Sequence, residues 1–307
     1  MGRMADRTFS LRSGRVLGLT GFGDADAERL VIFCHPAPGS SVFDPDPDAS
    51  AERRAHIVAL DRPGYGSSDP WPFGSWPSIV QAADDIAEYV RSVVVAESVI
   101  GVTRPRTVGV VGWSAGGRVA LAFAARHPQL VDRVAIVGTP APNEAVPWID
   151  PKLQQMSDQL ATLTPDEAMS RLSAMLQPQA DAVATAAEPL DALGIGAVDE
   201  QALARPGVRD RLGRMLIDAY RQGPRGVAGD ILSYTARPWG FDLADVTAKT
   251  LVIAGQADAL TGHAHAAWYQ RSLPDARMEM VPGAGHLAIV PTWGRILSHV
   301  APAHVTH

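Results

Sequence analysis

Short apolar runs recur along the chain, most of them closed by a loop rich in glycine or proline. Leu30–Cys34, His56–Leu60, Val108–Val111, Val134–Val137 and Thr250–Ala254 have the length of strands and are nearly continuous rather than alternating. Continuous runs of that length mark strands buried on both faces. Thr8–Arg12 and Arg15–Thr20 do alternate, and the Ser13-Gly14 turn between them predicts an opening hairpin. Ala276–Val281 predicts a last, weaker strand. Between the strands the period changes to that of helices. Ser78 and Gln81 form a capping box at the head of a long helix. Ile79, Ala83, Ile86, Ala87, Val90 and Val94 give this helix one apolar face, opposite Asp84, Asp85, Glu88 and Arg91. Further helices are predicted at 117–126, at 263–272 and from just after His286 through Ile296. Strands alternating with helices predict an α/β fold with a mostly parallel sheet wrapped by helices.

From about residue 143 to 235 the strand pattern stops. Thr164-Pro-Asp-Glu167 is a strong helix start, with a capping threonine, proline at the first position and glutamate at the third. Ala168, Met169, Leu172, Met175 and Leu176 follow at helical spacing. The expectation is a core of 1–142 and 236–307 interrupted by a helical insertion. The Met and Leu residues of the insertion either line an apolar pocket or pack it onto the core.

Composition narrows the function. The 307 residues are 46% hydrophobic with a formal charge of −6. That is ample for a large core, and it lacks the basic face that nucleic-acid binding needs. Met1–Ser10 lacks the apolar core of a signal peptide, and no run of about 18 apolar residues occurs. A cytoplasmic protein acting on a small molecule, with neither membrane nor nucleic acid as partner, is expected. The single cysteine, Cys34, lies inside a strand and reads as a small buried apolar residue. Phe43–Asp48 carries three alternating aspartates, but Ala49 and Ala55 stand where an EF-hand loop begun at Asp44 needs Gly and Glu. A solvated acidic loop is expected, with no metal.

The chemistry centres on Gly112-Trp113-Ser114-Ala115-Gly116. A G-x-S-x-G arises by chance in a Gly-rich chain. Here it joins a predicted strand to a predicted helix, the setting of a nucleophile elbow. Such a turn projects the serine hydroxyl out of the fold and needs small neighbours. The helix behind it aims free N–H groups at the site. Asp258 and His286 each follow another predicted strand, and the chain order Ser…Asp…His is one of the common triad orders. In that triad His286 is the general base and Asp258 holds its ring. Trp113 is expected to pack beside the nucleophile and to touch substrate. His35 is expected to orient its loop by hydrogen bonds, and His263 and His265 to lie at the surface. Asp132 precedes its strand, at the wrong end for a triad.

With His35-Pro-Ala-Pro-Gly-Ser40, Asp61-Arg-Pro-Gly-Tyr-Gly66, Gly112–Gly117, Gly255-x-x-Asp258 and Gly283-Ala-Gly-His286, the chain resembles the α/β-hydrolase superfamily over essentially its whole length. The resemblance implies an eight-stranded sheet, a helical cap after the sixth strand, no cofactor, and carboxylic ester hydrolysis through an acyl-enzyme on Ser114. It places the oxyanion donors at the backbone N–H of Ala37 and Ala115. Pro36 stands where the family usually has glycine. Other acyl-transfer or C–C chemistry on the same triad (lactonase, thioesterase, aminopeptidase, C–C hydrolase, perhydrolase, cyclase) and a non-catalytic receptor are the alternatives.

Overall fold

The computed structural model describes residues 7–99, 107–185, 190 and 197–302. Residues 1–6 of the N-terminal stretch, and the side chain of Val94, lie outside the described part. Eight strands form one sheet: β1 (Arg7–Ser10), β2 (Val16–Gly23), β3 (Arg29–Cys34), β4 (Ala55–Leu60), β5 (Val108–Trp113), β6 (Val131–Val137), β7 (Lys249–Gly255) and β8 (Ala276–Val281). Their spatial order is β1-β2-β4-β3-β5-β6-β7-β8, antiparallel through the opening hairpin and parallel from β4 onward. The predicted hairpin and every predicted strand are present, with ends moved by up to three residues.

The two faces of the sheet divide its side chains alternately. Ile32, Cys34, Val110, Ile136 and Val252 meet the helices α2 (Ile79–Val99), α3 (Ala115–Arg126) and α9 (His263–Ser272). Val31, Phe33, Val111, Ala135 and Ile253 meet Ile289, Trp293 and Leu297 of α10 (Ile289–Val300). Both faces are covered, which is why the central strands read as continuous apolar runs. The remaining core-side helix, α1 (Pro47–Glu52), occupies part of the predicted acidic loop. There the expectation of a solvated tract fails. Asp46 caps α1 by accepting from Ala49 N, and Asp44 is buried, accepting from Ser50 Oγ at 2.8 Å. Burial pushes the Asp44 carboxyl up to about 6, against the lowering effect of that hydrogen bond.

Between β6 and β7 the chain forms α4 (Pro151–Leu160), α5 (Pro165–Thr185), α6 (Glu200–Leu203), α7 (Val208–Ala219) and α8 (Arg225–Thr235). The predicted capping box of α5 is closed both ways, Glu167 N donating to Thr164 Oγ1 and Thr164 N to Glu167 Oε2. Ala168 and Leu172 pack on Ala228 and Leu232 of α8, whereas Met175 is half exposed, so this stripe mainly ties helix to helix. Where the chain leaves the sheet and returns, Trp148, Tyr234 and Trp239 surround the buried guanidinium of Arg118, 4.1 Å from the Tyr234 ring centre. Cation–π attraction of this kind pins both crossings to α3. No helix among the described residues is long and apolar enough to cross a membrane.

Candidate active site

Ser114 stands between β5 and α3 with φ 53° and ψ −122°, a left-handed backbone that a residue with a Cβ adopts only under constraint. The constraint is visible. Ser114 N donates to Val137 O, and its carbonyl accepts from Gly117 N at 3.0 Å. A Cβ on Gly116 would strike the main-chain carbonyls of Cys34 and His35. The elbow therefore lies directly against the loop that follows β3, and only glycine lets the two backbones meet.

Asp258 follows β7, and His286 sits in the turn between β8 and α10. Both ends are carboxyl ends of parallel strands, as is that of β5, so the three residues share one edge of the sheet. His286 Nδ1 lies 2.8 Å from Asp258 Oδ2. The same carboxylate accepts from Leu260 N, Thr261 N and Thr261 Oγ1, the last at 2.6 Å. Burial alone raises the Asp258 pKa. The bond and charge of His286 and the Thr261 bonds outweigh it and hold the carboxyl down to about 2. The imidazole also packs beside Gly138, the residue after β6, where an added Cβ would lie 3.3 Å from Nδ1. Among the described residues no hydrogen bond joins Ser114 Oγ to His286. In sites without substrate such contacts are often long and tighten on binding.

This carboxylate gives a pH prediction. Its ordinary pKa of 3.8 falls to about 2 on folding, so its contribution to stability is present above about pH 4 and is lost as pH falls toward 2. The contribution is about 2 kcal/mol. Urea unfolding of the wild type and Asp258→Asn at about pH 6, 4 and 3 is expected to show a gap that narrows as the pH falls. A constant gap would contradict the assignment.

The loop after β3 is held by a buried network. Arg62 N donates to His35 Nε2 at 3.1 Å, so the His35 proton lies on Nδ1, which donates to Pro36 O at 2.7 Å. The Arg62 guanidinium donates to the carbonyls of His35 and Pro36 and makes a two-point pair with Asp230 of α8, at 2.9 and 2.6 Å. Tyr65 Oη donates to the same carboxylate at 2.7 Å. Burial, then the Arg62 charge, hold the His35 pKa well below its ordinary value, which keeps that ring neutral. His35 thus has the orienting role expected of it. Pro36 adds a carbonyl that Arg62 grips. Among the described residues neither Ala37 N nor Ala115 N makes a hydrogen bond, and Ala115 opens α3, where the helix dipole favours negative charge.

Two expectations need correction. Trp113 is 2% exposed, its ring tilted against Phe43, and its Nε1 donates to His286 O at 3.1 Å. Its ring is closed off, so it holds the histidine loop rather than offering a surface to substrate. His265 is 5% exposed and accepts from Ala141 N at 3.0 Å, so only His263 of that pair lies at the surface. Asp132, at the other end of its strand, pairs with Arg29 at 2.7 Å, as its place in the chain implies. Cys34 is buried, and burial drives its thiol up to about 12. Sequence reasoning missed Thr261, Arg62, Asp230 and Asp199. Only Thr261 carried a local signal, three residues after an aspartate that it can close into a turn.

Several known proteins are similar to this chain. A pimeloyl-[acyl-carrier protein] methyl ester esterase of Aromatoleum aromaticum is 29% identical over 188 residues, 59% of this chain and 68% of that protein. A 2-(acetamidomethylene)succinate hydrolase of Mesorhizobium japonicum is 27% identical over 258 residues, 84% of this chain and 81% of the other. Among solved structures, a thermophilic esterase from Thermogutta terrifontis matches with a TM-score of 0.65 at 20% identity, covering 97% of this chain and 96% of its own. A family model described as alpha/beta hydrolase fold matches residues 29–291, from the start of β3 into α10. With the sheet order, the elbow and this match in agreement, the chain belongs to the alpha/beta hydrolase fold family.

Proposed function

We propose that this protein is a serine hydrolase that cleaves carboxylic esters of small to medium, apolar substrates through an acyl-enzyme on Ser114. The observation that carries the reading is the Asp258–His286 pair at 2.8 Å, on the same sheet edge as a serine held at positive φ. His286 Nε2 takes the Ser114 proton as Oγ attacks the ester carbonyl carbon. The carbonyl π electrons move to oxygen, and the N–H groups of Ala37 and Ala115 stabilise that oxyanion. The intermediate collapses, the C–O bond to the alcohol breaks, and His286 protonates the departing oxygen. Water then repeats the sequence on the acyl-enzyme, with His286 again as base, and releases the acid. Asp258 keeps Nδ1 protonated and stabilises the imidazolium.

Residues 143–235 act as the cap in this reading. Leu212, Met215 and Leu216 of α7 share a buried apolar cluster with Trp113, Phe43 and Leu287, which packs this segment onto the core beside the triad. The pimeloyl-[acyl-carrier protein] methyl ester esterase relative supports ester rather than C–C chemistry. A panel of p-nitrophenyl and methyl esters of increasing acyl length, assayed beside lactones and thioesters, tests this. Highest kcat/KM is expected on an ester of short to medium acyl chain. Preference for a lactone or thioester by about 100-fold, some 3 kcal/mol in transition-state binding, would overturn the substrate class.

A further inference from the structure

The turn that carries His286 is held by a carboxylate from far along the chain. Asp199, at the head of α6 in the segment between β6 and β7, is 4% exposed. Its Oδ1 accepts from Gly285 N at 3.0 Å and Leu287 N at 3.2 Å, and its Oδ2 from His286 N at 3.0 Å. Three successive backbone donors converge on one side chain. These are the orphan N–H groups where a helical turn begins, and a buried carboxylate satisfies them with charge-assisted bonds. Gly285 fits this contact, since a Cβ there would lie 2.5 Å from Asp199 Oδ2.

We propose that Asp199 is a positioning residue for the reaction, and that the helical segment between β6 and β7 thereby supplies part of the framework of the histidine loop. The inference rests on the serine-hydrolase reading above. Two contacts set the main chain of His286: Asp199 at its N–H and Trp113 Nε1 at its carbonyl. Asp258 sets only the ring, through Nδ1. Without Asp199 the three N–H groups lose their partner and the turn relaxes, while the ring stays tied to Asp258. The path from Nε2 to Ser114 Oγ then changes. No part of the proposal places Asp199 against substrate, so the loss falls on kcat.

The test uses the full chain with Asp199→Asn, Asp199→Ala and Ser114→Ala, each checked for folding by thermal melt. Steady-state hydrolysis of a p-nitrophenyl ester is measured with the rate of fluorophosphonate labelling. Asp199→Ala is expected to lose about 100-fold in kcat, the scale of a misplacement of about 1 Å. KM stays within about two-fold, and labelling slows in parallel. Asp199→Asn keeps its volume and one acceptor oxygen but turns an amide N–H toward a backbone donor, so its kcat falls between the two, by about 10-fold. If Asp199→Ala does not fold, the Asn variant decides alone. A folded Asp199 variant with wild-type kcat, or a loss confined to KM, overturns the inference. An inactive Ser114→Ala beside a fully active Asp199→Ala overturns it alone. A fully active Ser114→Ala overturns the underlying reading as well.

Discussion

Replacing Ser114 with alanine is expected to lower kcat for ester hydrolysis by about 10⁵-fold, with the fold intact and the melting temperature unchanged or raised. The size follows from what is removed. Without Oγ there is no covalent intermediate, and only binding and the two free N–H groups at Ala37 and Ala115 remain to act on a water attack. The stability follows from the backbone. Ser114 is held at φ 53° by neighbours that alanine leaves in place, and the lost hydroxyl makes no hydrogen bond among the described residues. Kinetics on a p-nitrophenyl ester together with a thermal melt measure both halves. A variant that unfolds, or one that keeps more than about 1% of the rate, contradicts this account.

The second large effect concerns stability. Asp230→Ala is expected to cost about 3–5 kcal/mol, because it leaves the Arg62 guanidinium buried without its counter-ion. Tyr65 Oη also loses its acceptor. Burial by itself disfavours a charged Arg62, and the adjacent Asp230 more than reverses that, which is why removing the carboxylate alone is so costly. The double variant Arg62→Met with Asp230→Leu removes both charges and is expected to recover the part of the loss that comes from the unpaired guanidinium, while Tyr65 Oη still lacks its acceptor. It does not restore the two carbonyl contacts to His35 and Pro36, so its activity stays low while its stability returns in part. Urea unfolding and ester kinetics on the single and double variants separate the two effects. A double variant with wild-type kcat would show that the loop holding Ala37 does not depend on Arg62.

What the sequence made legible was local. Buried parallel strands announce themselves as apolar runs, and the elbow is a five-residue pattern with a strand before it and a helix after it. The order Ser114, Asp258, His286 needs only those strands to be placed, because residues just beyond parallel strands arrive at one edge together. The errors were also local readings. His265 and Asp44 are polar residues in polar stretches, and nothing nearby shows that Ala141 N and Ser50 Oγ arrive to satisfy them. Trp113 sits beside the serine in the chain, yet successive side chains of a strand point to opposite sides, and its ring turns into the core. The unread part is long-range. Asp199 meets residues 86 to 88 positions away, and Asp230 meets Arg62 at a separation of 168. Each is one acidic residue among many in a helical stretch, with no spacing that ties it to its partner. Both belong to the segment between β6 and β7: Asp199 bonds the turn of His286 directly, and Asp230 reaches the loop after β3 through Arg62.

The most direct measurement is fluorophosphonate labelling of the native chain with intact-mass detection and peptide mapping. A single adduct on Ser114, formed within minutes and absent from Ser114→Ala and slowed in His286→Ala, is the predicted result. Folded protein that takes no label, or takes it on another residue, would show that Ser114 is not an activated nucleophile.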